Sequence, residues 1–189
     1  LDKVQNAADG SFDFFTLRYD LDDVGEYTYT VKEVNDKQAG ITYDETVYTV
    51  TVTVVDAGNG SLTVTASDNI NSLNFTNSYE AKGEITFEGV KTIEGRALTA
   101  NDKFTFEIKE GEKTIATVEN DADGKIAYPT IEYTLEDVGT HTYTVKETST
   151  NGDGITVDTT EYTVTVEVTD NGDGTLKVTA SENATALNF

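Results

Sequence analysis

Val24-Gly-Glu-Tyr-Thr-Tyr-Thr-Val-Lys-Glu33 occurs a second time in the chain, in altered form, as Val138-Gly-Thr-His-Thr-Tyr-Thr-Val-Lys-Glu147. In both copies β-branched and aromatic residues alternate with polar ones, which predicts a β-strand with one inward face. The inward row is Tyr27, Tyr29, Val31 and then Glu33 in the first copy, and His141, Tyr143, Val145 and then Glu147 in the second. A carboxylate on an inward row is costly unless it is neutral or paired. The pattern therefore predicts a buried partner for each glutamate.

The composition points to an all-β surface protein. A net charge of −22 disfavours nucleic acid and anionic membranes as partners. With no cysteine, the chain has neither disulfides nor thiolate metal sites. No apolar run reaches membrane-spanning length, and neither a signal peptide nor an initiating Met is present, so we expect an excerpt of a longer protein. We expect no cofactor and no metal.

An internal repeat organises the chain. Residues 1–75 align without a gap on residues 115–189 at a constant offset of 147 − 33 = 114, and more than half of the aligned positions are identical. The segment Tyr48-Thr-Val-Thr-Val52, for example, recurs as Tyr162-Thr-Val-Thr-Val166. The sequence thus predicts two tandem domains, residues 1–80 and 81–189, joined by a short linker at residues 80–83.

The spacing of short strands and turns predicts the fold class. Strands are expected at residues 12–15, 17–21, 27–33, 47–55, 62–66, 73–79, 85–93, 104–108 and 114–118, with later ones given by the repeat. Many short strands with turns every few residues predict immunoglobulin-like β-sandwiches. With so short a linker, we expect the two domains to stack end to end as a rod.

Two further polar residues fall on inward rows. Between residues 83 and 94, Lys91 shares its row with Ile85, Phe87, Gly89 and Ile93. Between residues 73 and 80, Asn77 shares its row with Leu73, Phe75 and Tyr79. Each repeat is therefore expected to bring a lysine, a glutamate and an asparagine into one core.

These motifs resemble a known family. Phe87-Glu-Gly-Val-Lys91, the Tyr-Thr-Val-Lys-Glu strand and Phe75-Thr-Asn77-Ser-Tyr79 are similar to the streptococcal-type pilin isopeptide-linkage repeat, which is collagen-adhesin B-type-like, over essentially the whole chain. The resemblance implies that Lys91 is the amine and Asn77 the amide acceptor of an intramolecular isopeptide bond. It also implies that Glu33 and Glu147 assist as proton shuttles. Such repeats belong to pili and cell-wall-anchored surface proteins of Gram-positive bacteria.

The chemistry fits these residue types. An amine must be neutral to attack, and burial among apolar side chains disfavours its charged form. A buried carboxylic acid can polarise the amide and carry a proton to the departing ammonia. Because each site reacts once, we expect no turnover and hence no enzyme.

The offset separates the members of each site. The first domain's lysine falls at 91 − 114 = −23 and the second domain's asparagine at 77 + 114 = 191, both outside the 189 residues. We therefore expect no bond wholly within this chain, because Lys91 and Asn77 belong to different domains. Neighbouring sequence of the same polypeptide is expected to complete both half-sites, in preference to a strand from another molecule.

Other functions stay open at this level. The main expectation is a stalk or fibre-shaft repeat whose partners are neighbouring repeats and other fibre subunits, located outside the cell. The alternative is an adhesin module that binds host matrix or glycans through residues 34–39 and 148–153, where the copies differ. A third is an accessory domain of a secreted enzyme. His141 is expected to fill the core. The segment Glu119-x-Asp121-x-Asp123-Gly124 is expected to form a β-turn, since Thr130 stands where a calcium loop needs Glu.

Overall fold

The structure is a computed structural model that describes residues 2–152 and 154–189. Its strands are β1 Gly25–Lys32, β2 Ile41–Thr42, β3 Val47–Asp56, β4 Leu62–Ala66, β5 Ser78–Tyr79, β6 Gly83–Thr86, β7 Thr105–Glu110, β8 Lys113–Glu119, β9 Thr130–Tyr133, β10 Gly139–Glu147, β11 Glu161–Asp170 and β12 Leu176–Ala180. The helices of the described residues are short 3-10 turns at Leu21–Asp23, Asp68–Asn71, Leu135–Asp137 and Glu182–Thr185. The predicted all-β class is confirmed. None of these turns has the length or the apolar character that crossing a bilayer demands.

The chain divides into two compact units. Unit 1 comprises the residues up to Asn35 together with Tyr43–Asn77, and unit 2 comprises Asp36–Thr42 together with Ser78–Phe189. The segment Asp36–Thr42 groups with unit 2 because β2 pairs with β5 there, Ile41 opposite Tyr79. The domain boundary inferred from the repeat stays a prediction.

Unit 1 is built on an antiparallel sheet in the order β1-β3-β4. Alternate residues of β3 form its core, and Val50, Val52 and Val54 are buried against Tyr27 and Tyr29 of β1. The inward row predicted for β1 is therefore confirmed, because its even-numbered residues are exposed.

Unit 2 contains a larger antiparallel sheet in the order β12-β11-β10-β7-β8 and a second pair, β6 with β9. The strand β10 lies between β11 and β7, so its inward residues Tyr143 and Val145 are fully enclosed. Phe87, Phe106 and Leu187 fill the same core. Burial on this scale stabilises each large side chain by about 1.5–3 kcal/mol. The end of β10 is therefore set deep in unit 2.

Some predicted strands are absent or shorter. The described residues before β1 contain no strand, although residues 12–15 and 17–21 were expected to form two. Their counterpart β9 forms in unit 2 because β6 lies beside it, whereas residues 16–19 have no such partner among the described residues. The strands expected at 73–79 and 85–93 are confined to β5 and β6. Hairpin turns at residues 56–60 and 170–174 join β3 to β4 and β11 to β12.

Candidate functional site

Lys91 lies on a segment held between two others in unit 2. On one side its backbone N–H donates to the carbonyl of Gly124 at 2.7 Å. On the other side the backbone N–H of Phe189 donates to the carbonyl of Val90 at 2.9 Å, and the carbonyl of Phe189 accepts from the backbone N–H of Thr92 at 2.8 Å. Phe189 thus bonds to the residues on both sides of Lys91, which is the pattern of two parallel segments and sets Lys91 directly beside Phe189.

Burial alternates along this segment as predicted. Phe87, Gly89 and Lys91 are buried, and the residues between them are exposed. Gly89 is required here because a Cβ would collide with the carbonyl of Leu187. The segment is therefore packed too closely for its register to shift.

Lys91 and Glu147 form a buried ion pair. The Lys91 Nζ donates to Glu147 Oε2 at 2.8 Å, and the two side chains are 4% and 0% exposed. Nζ also lies 4.7 Å from the centre of the Phe104 ring, a cation–π contact. The backbone N–H of Asp158 donates to the same carboxylate oxygen at 3.3 Å. The predicted buried partner of Glu147 is thus Lys91.

In unit 1 the equivalent glutamate binds an asparagine. Asn77 Nδ2 donates to Glu33 Oε1 at 2.7 Å, and Asn77 Oδ1 accepts from the backbone N–H of Asp44 at 2.8 Å. Asn77 is exposed, although the sequence placed it on an inward row, and Glu33 is half-buried. The difference arises because the described residues of unit 1 include no counterpart of the Lys91 segment to cover this end of β1.

Each of the two glutamates has one carboxylate oxygen in a hydrogen bond and the other without a partner. Among the described residues, three buried side-chain polar atoms lack a hydrogen-bond partner: Glu33 Oε2, Glu147 Oε1 and the Tyr128 hydroxyl. Glu33 uses Oε1 for asparagine and leaves Oε2 unpartnered, whereas Glu147 uses Oε2 for lysine and leaves Oε1 unpartnered. Because buried polar atoms are rarely left unpaired, each glutamate has one carboxylate oxygen available for a further hydrogen-bond donor.

Four contributing residues were missed at the level of sequence. Phe104 has no counterpart within the chain, so the repeat gave no sign of it. The repeat has a glycine at both Gly124 and its equivalent Gly10, which is a signal in the sequence. Only the structure explains why Gly124 is needed, because a Cβ there would collide with the Lys91 carbonyl oxygen. Asp44 and Asp158 are also equivalent, and each is followed by a threonine two residues later, a signal that could have been found.

The remaining sequence candidates are placed as follows. No group of three or more possible metal ligands exists within the described residues. The segment at 121–124 forms a turn closed by Gly124 N–H on the Asp121 carbonyl at 3.2 Å. His141 contacts Glu110 and the Asp137 carbonyl, at the far end of β10 from Glu147. In the loop 148–153, Asp153 lies outside the described residues.

A comparison with known protein families identifies the family of this chain. The family model FctA, described as the Spy0128-like isopeptide containing domain, matches residues 2–80 and again residues 87–189. No curated protein gives a significant match. The family fits the all-β, immunoglobulin-like sandwich class of the structure. With nearly all of its length matched, this chain belongs to the family of Spy0128-like isopeptide containing domains, which are streptococcal-type pilin repeats.

Proposed function

We propose that the chain is a shaft repeat of a bacterial surface fibre, in which each repeat is stabilised by a self-made Lys–Asn isopeptide bond. Membership of a pilin-type family supports a role in the shaft of an extracellular pilus or surface protein. Cell-wall anchoring, a Gram-positive source and the bond itself are part of the proposal. In each site the lysine is the nucleophile, the asparagine the acceptor, and the glutamate the proton shuttle.

One observation carries this function. Equivalent glutamates, 114 residues apart, bind a lysine in one unit and an asparagine in the other. Combined by the repeat offset of 114, the two half-sites supply one lysine, one glutamate and one asparagine for a single site, which supports the proposal. No ordinary structural role calls for that set of residues in a core, because a hydrophobic filling of equal volume is commonly as stable.

The proposed reaction follows from this arrangement. A proton moves from Lys91 Nζ to Glu147, which leaves a neutral amine and a neutral acid in apolar surroundings. The amine attacks the side-chain carbonyl carbon of the asparagine, a C–N bond forms, and the carbonyl electron pair moves onto oxygen. Glu147 gives its proton to the amide nitrogen and takes the second proton from Nζ, so that it ends protonated. The electron pair on oxygen re-forms the C=O bond, the original C–N bond breaks, and ammonia leaves. Holding amine and amide together supplies the high effective concentration that this otherwise slow exchange needs.

The position of the bond suits a shaft. In unit 2 the segment around Lys91 lies parallel to the segment ending at Phe189 and is joined to it by backbone hydrogen bonds. Tension that draws two parallel segments in opposite directions loads those bonds in shear. A covalent bond between the segments carries the load instead. The protein would then act once per site, without turnover, beside neighbouring repeats and other fibre subunits.

The test completes both sites with the repeat's own sequence. We design an extended chain that carries a copy of residues 81–114 before Leu1 and a copy of residues 76–81 after Phe189. This chain is expected to lose two ammonia molecules in its intact mass. Glu33→Ala should prevent the loss of ammonia at the unit 1 site. Glu147→Ala and Lys91→Arg should each prevent the loss at the unit 2 site. Tandem mass spectrometry should place one cross-link between Lys91 and the appended asparagine.

The chain of 189 residues itself serves as the matched control and should keep its full mass. An extended chain that folds, as judged by circular dichroism, yet loses no ammonia would contradict the proposal. If both glutamate variants still lose two ammonia molecules, the glutamates have no part in the reaction.

A further inference from the structure

Asp44 holds the acceptor asparagine of unit 1 at two points. Its backbone N–H donates to Asn77 Oδ1 at 2.8 Å. Its carboxylate accepts from the backbone N–H of Thr76, the residue before Asn77, at 2.9 Å. The other carboxylate oxygen accepts from the backbone N–H of Thr46 at 2.8 Å, which closes the loop on itself. Asp44 therefore fixes both the Asn77 amide oxygen and the backbone that leads into Asn77.

Asp158 repeats part of this arrangement in unit 2. Its carboxylate accepts from the backbone N–H of Thr160 at 2.8 Å and from the Thr160 hydroxyl at 2.6 Å. Its own N–H points at Glu147 Oε2, the oxygen that binds Lys91 Nζ. Two independent units thus direct the same backbone N–H into the same site, although only one of them holds the asparagine.

Both carboxylates keep their charge at neutral pH. Hydrogen bonds from Thr46 and Thr76 lower the pKa of Asp44. Hydrogen bonds from Thr160 lower the pKa of Asp158. Burial raises this pKa, and the charge of Lys91 lowers it more weakly, so that the net shift is downward. An ionised carboxylate accepts hydrogen bonds more strongly than a neutral one, so both loops are firmly closed.

We propose that Asp44 and Asp158 are positioning residues, whose carboxylates aim their own backbone N–H at the oxygen of the acceptor amide. As the lysine attacks, the carbonyl electron pair moves onto that oxygen, and the fixed N–H stabilises the negative charge that develops there. This role rests on the proposed isopeptide reaction and adds a donor that the lysine, asparagine and glutamate do not supply.

The experiment measures rates in the extended chain described above. The chain is diluted from denaturant before any bond has formed, folding is followed by circular dichroism, and ammonia loss at the Lys91 site is followed by intact mass. Asp158→Ala should slow bond formation at least about tenfold, and an ester in place of the Val157–Asp158 amide by about 10²–10³-fold, since one oxyanion donor is lost. Asp158→Asn keeps the acceptor for Thr160 and should restore most of the rate.

Asp173→Ala is the matched control. Asp173 accepts from the backbone N–H and the hydroxyl of Thr175, the same local bonds that Asp158 makes with Thr160, but in the β11–β12 hairpin. Loss of the donor should lower the rate equally at every pH, whereas a merely loosened site should shift the pH profile. Asp158→Ala reacting as fast as Asp173→Ala would overturn the role of Asp158. A parent extended chain that never loses ammonia would overturn the isopeptide reaction, and this role with it.

A second measurement uses the chain of 189 residues. The amide proton of Asp44 should move upfield in the NMR spectrum of Asn77→Ala, because its acceptor is removed, and should stay in place in Asn71→Ala. An unchanged Asp44 resonance in Asn77→Ala would overturn the hydrogen bond on which the proposal stands.

Discussion

At the scale of single residues, the buried pair of Lys91 and Glu147 carries a high cost of desolvation. Both side chains are withdrawn from solvent, and each charge depends on the other for compensation. Removing one member of such a pair leaves an unpaired charge in the core, whereas replacing both with apolar groups is often nearly neutral. A site kept for chemistry and not for stability should show this asymmetry.

We therefore predict that Lys91→Met lowers the free energy of unfolding of unit 2 by about 3–5 kcal/mol. The double variant Lys91→Met with Glu147→Leu should lose far less. Urea denaturation followed by circular dichroism measures both. The exposed Lys177→Met is the control for loss of a lysine. A loss as small for Lys91→Met as for Lys177→Met would show that the pair is not buried in solution.

His141 provides a pH-dependent contribution. Burial lowers its pKa, but the Asp137 carbonyl and the Glu110 carboxylate outweigh burial, so the pKa lies above its usual value of 6.5. Its Nδ1 lies 2.7 Å from Glu110 Oε1. A raised folded pKa means that the charged form is favoured in the folded state. That stability is fully present below the unfolded pKa and is lost as pH rises through the folded one.

The midpoint of thermal unfolding of unit 2 should accordingly fall as pH is raised from about 6 to about 8. His141→Tyr, which introduces the residue found at the equivalent Tyr27, should remove this part of the pH dependence. A pH dependence that is identical in both proteins would rule out His141 as its source.

At the scale of elements, the segment that carries Lys91 depends on a glycine in the loop beside it. Gly124 has φ +88°, and a Cβ there would collide with the Lys91 carbonyl oxygen. Its repeat-equivalent Gly10 has φ +86° but nothing within 4 Å of a Cβ. The two glycines therefore share the left-handed backbone and differ only in the close approach.

Gly10→Ala should cost about 1–2 kcal/mol for the left-handed conformation alone. Gly124→Ala should cost about 1–3 kcal/mol more, as overpacking does, and should displace Lys91 from Glu147. Denaturation measures the first effect, and hydrogen exchange of the Lys91 amide, which donates to Gly124, measures the second. Equal losses in the two variants would show that the loop yields without moving Lys91.

At the scale of the whole molecule, the proposed bonds convert two folded units into two closed covalent loops. In unit 2 the loop would run from Lys91 to position 191, or 191 − 91 = 100 residues. By the entropy of loop closure, a cross-link over that span stabilises by about 4–5 kcal/mol. The bond also converts the amine of Lys91 into an amide, which carries no charge in the core.

We predict that the extended chain unfolds at a higher temperature than its own Lys91→Arg variant and resists proteolysis longer. Scanning calorimetry and timed digestion measure the two effects. Because unit 1 is unchanged between these proteins, its transition is the internal reference. Equal midpoints for unit 2 in a chain shown by mass to be cross-linked would contradict the loop-closure argument.

Local patterns in the sequence determined a large part of this description. Alternation at period two placed Tyr27, Tyr143 and Lys91 on inward rows, because side-chain direction along a strand depends only on neighbouring residues. The repeat made Glu33 and Glu147 equivalent before any contact was known. The all-β class followed from the same local signals.

Only the tertiary structure decided which groups meet. Residues 12–21 carry a strand pattern yet form none, because a strand needs a hydrogen-bonding neighbour and β9 has one in β6. The pairing of Lys91 with Glu147, the inward aim of the Asp158 N–H and the fit of Gly124 under a carbonyl join residues 11 to 56 positions apart. Such contacts depend on how segments pack, and packing is a property of distances in space that no local alternation encodes.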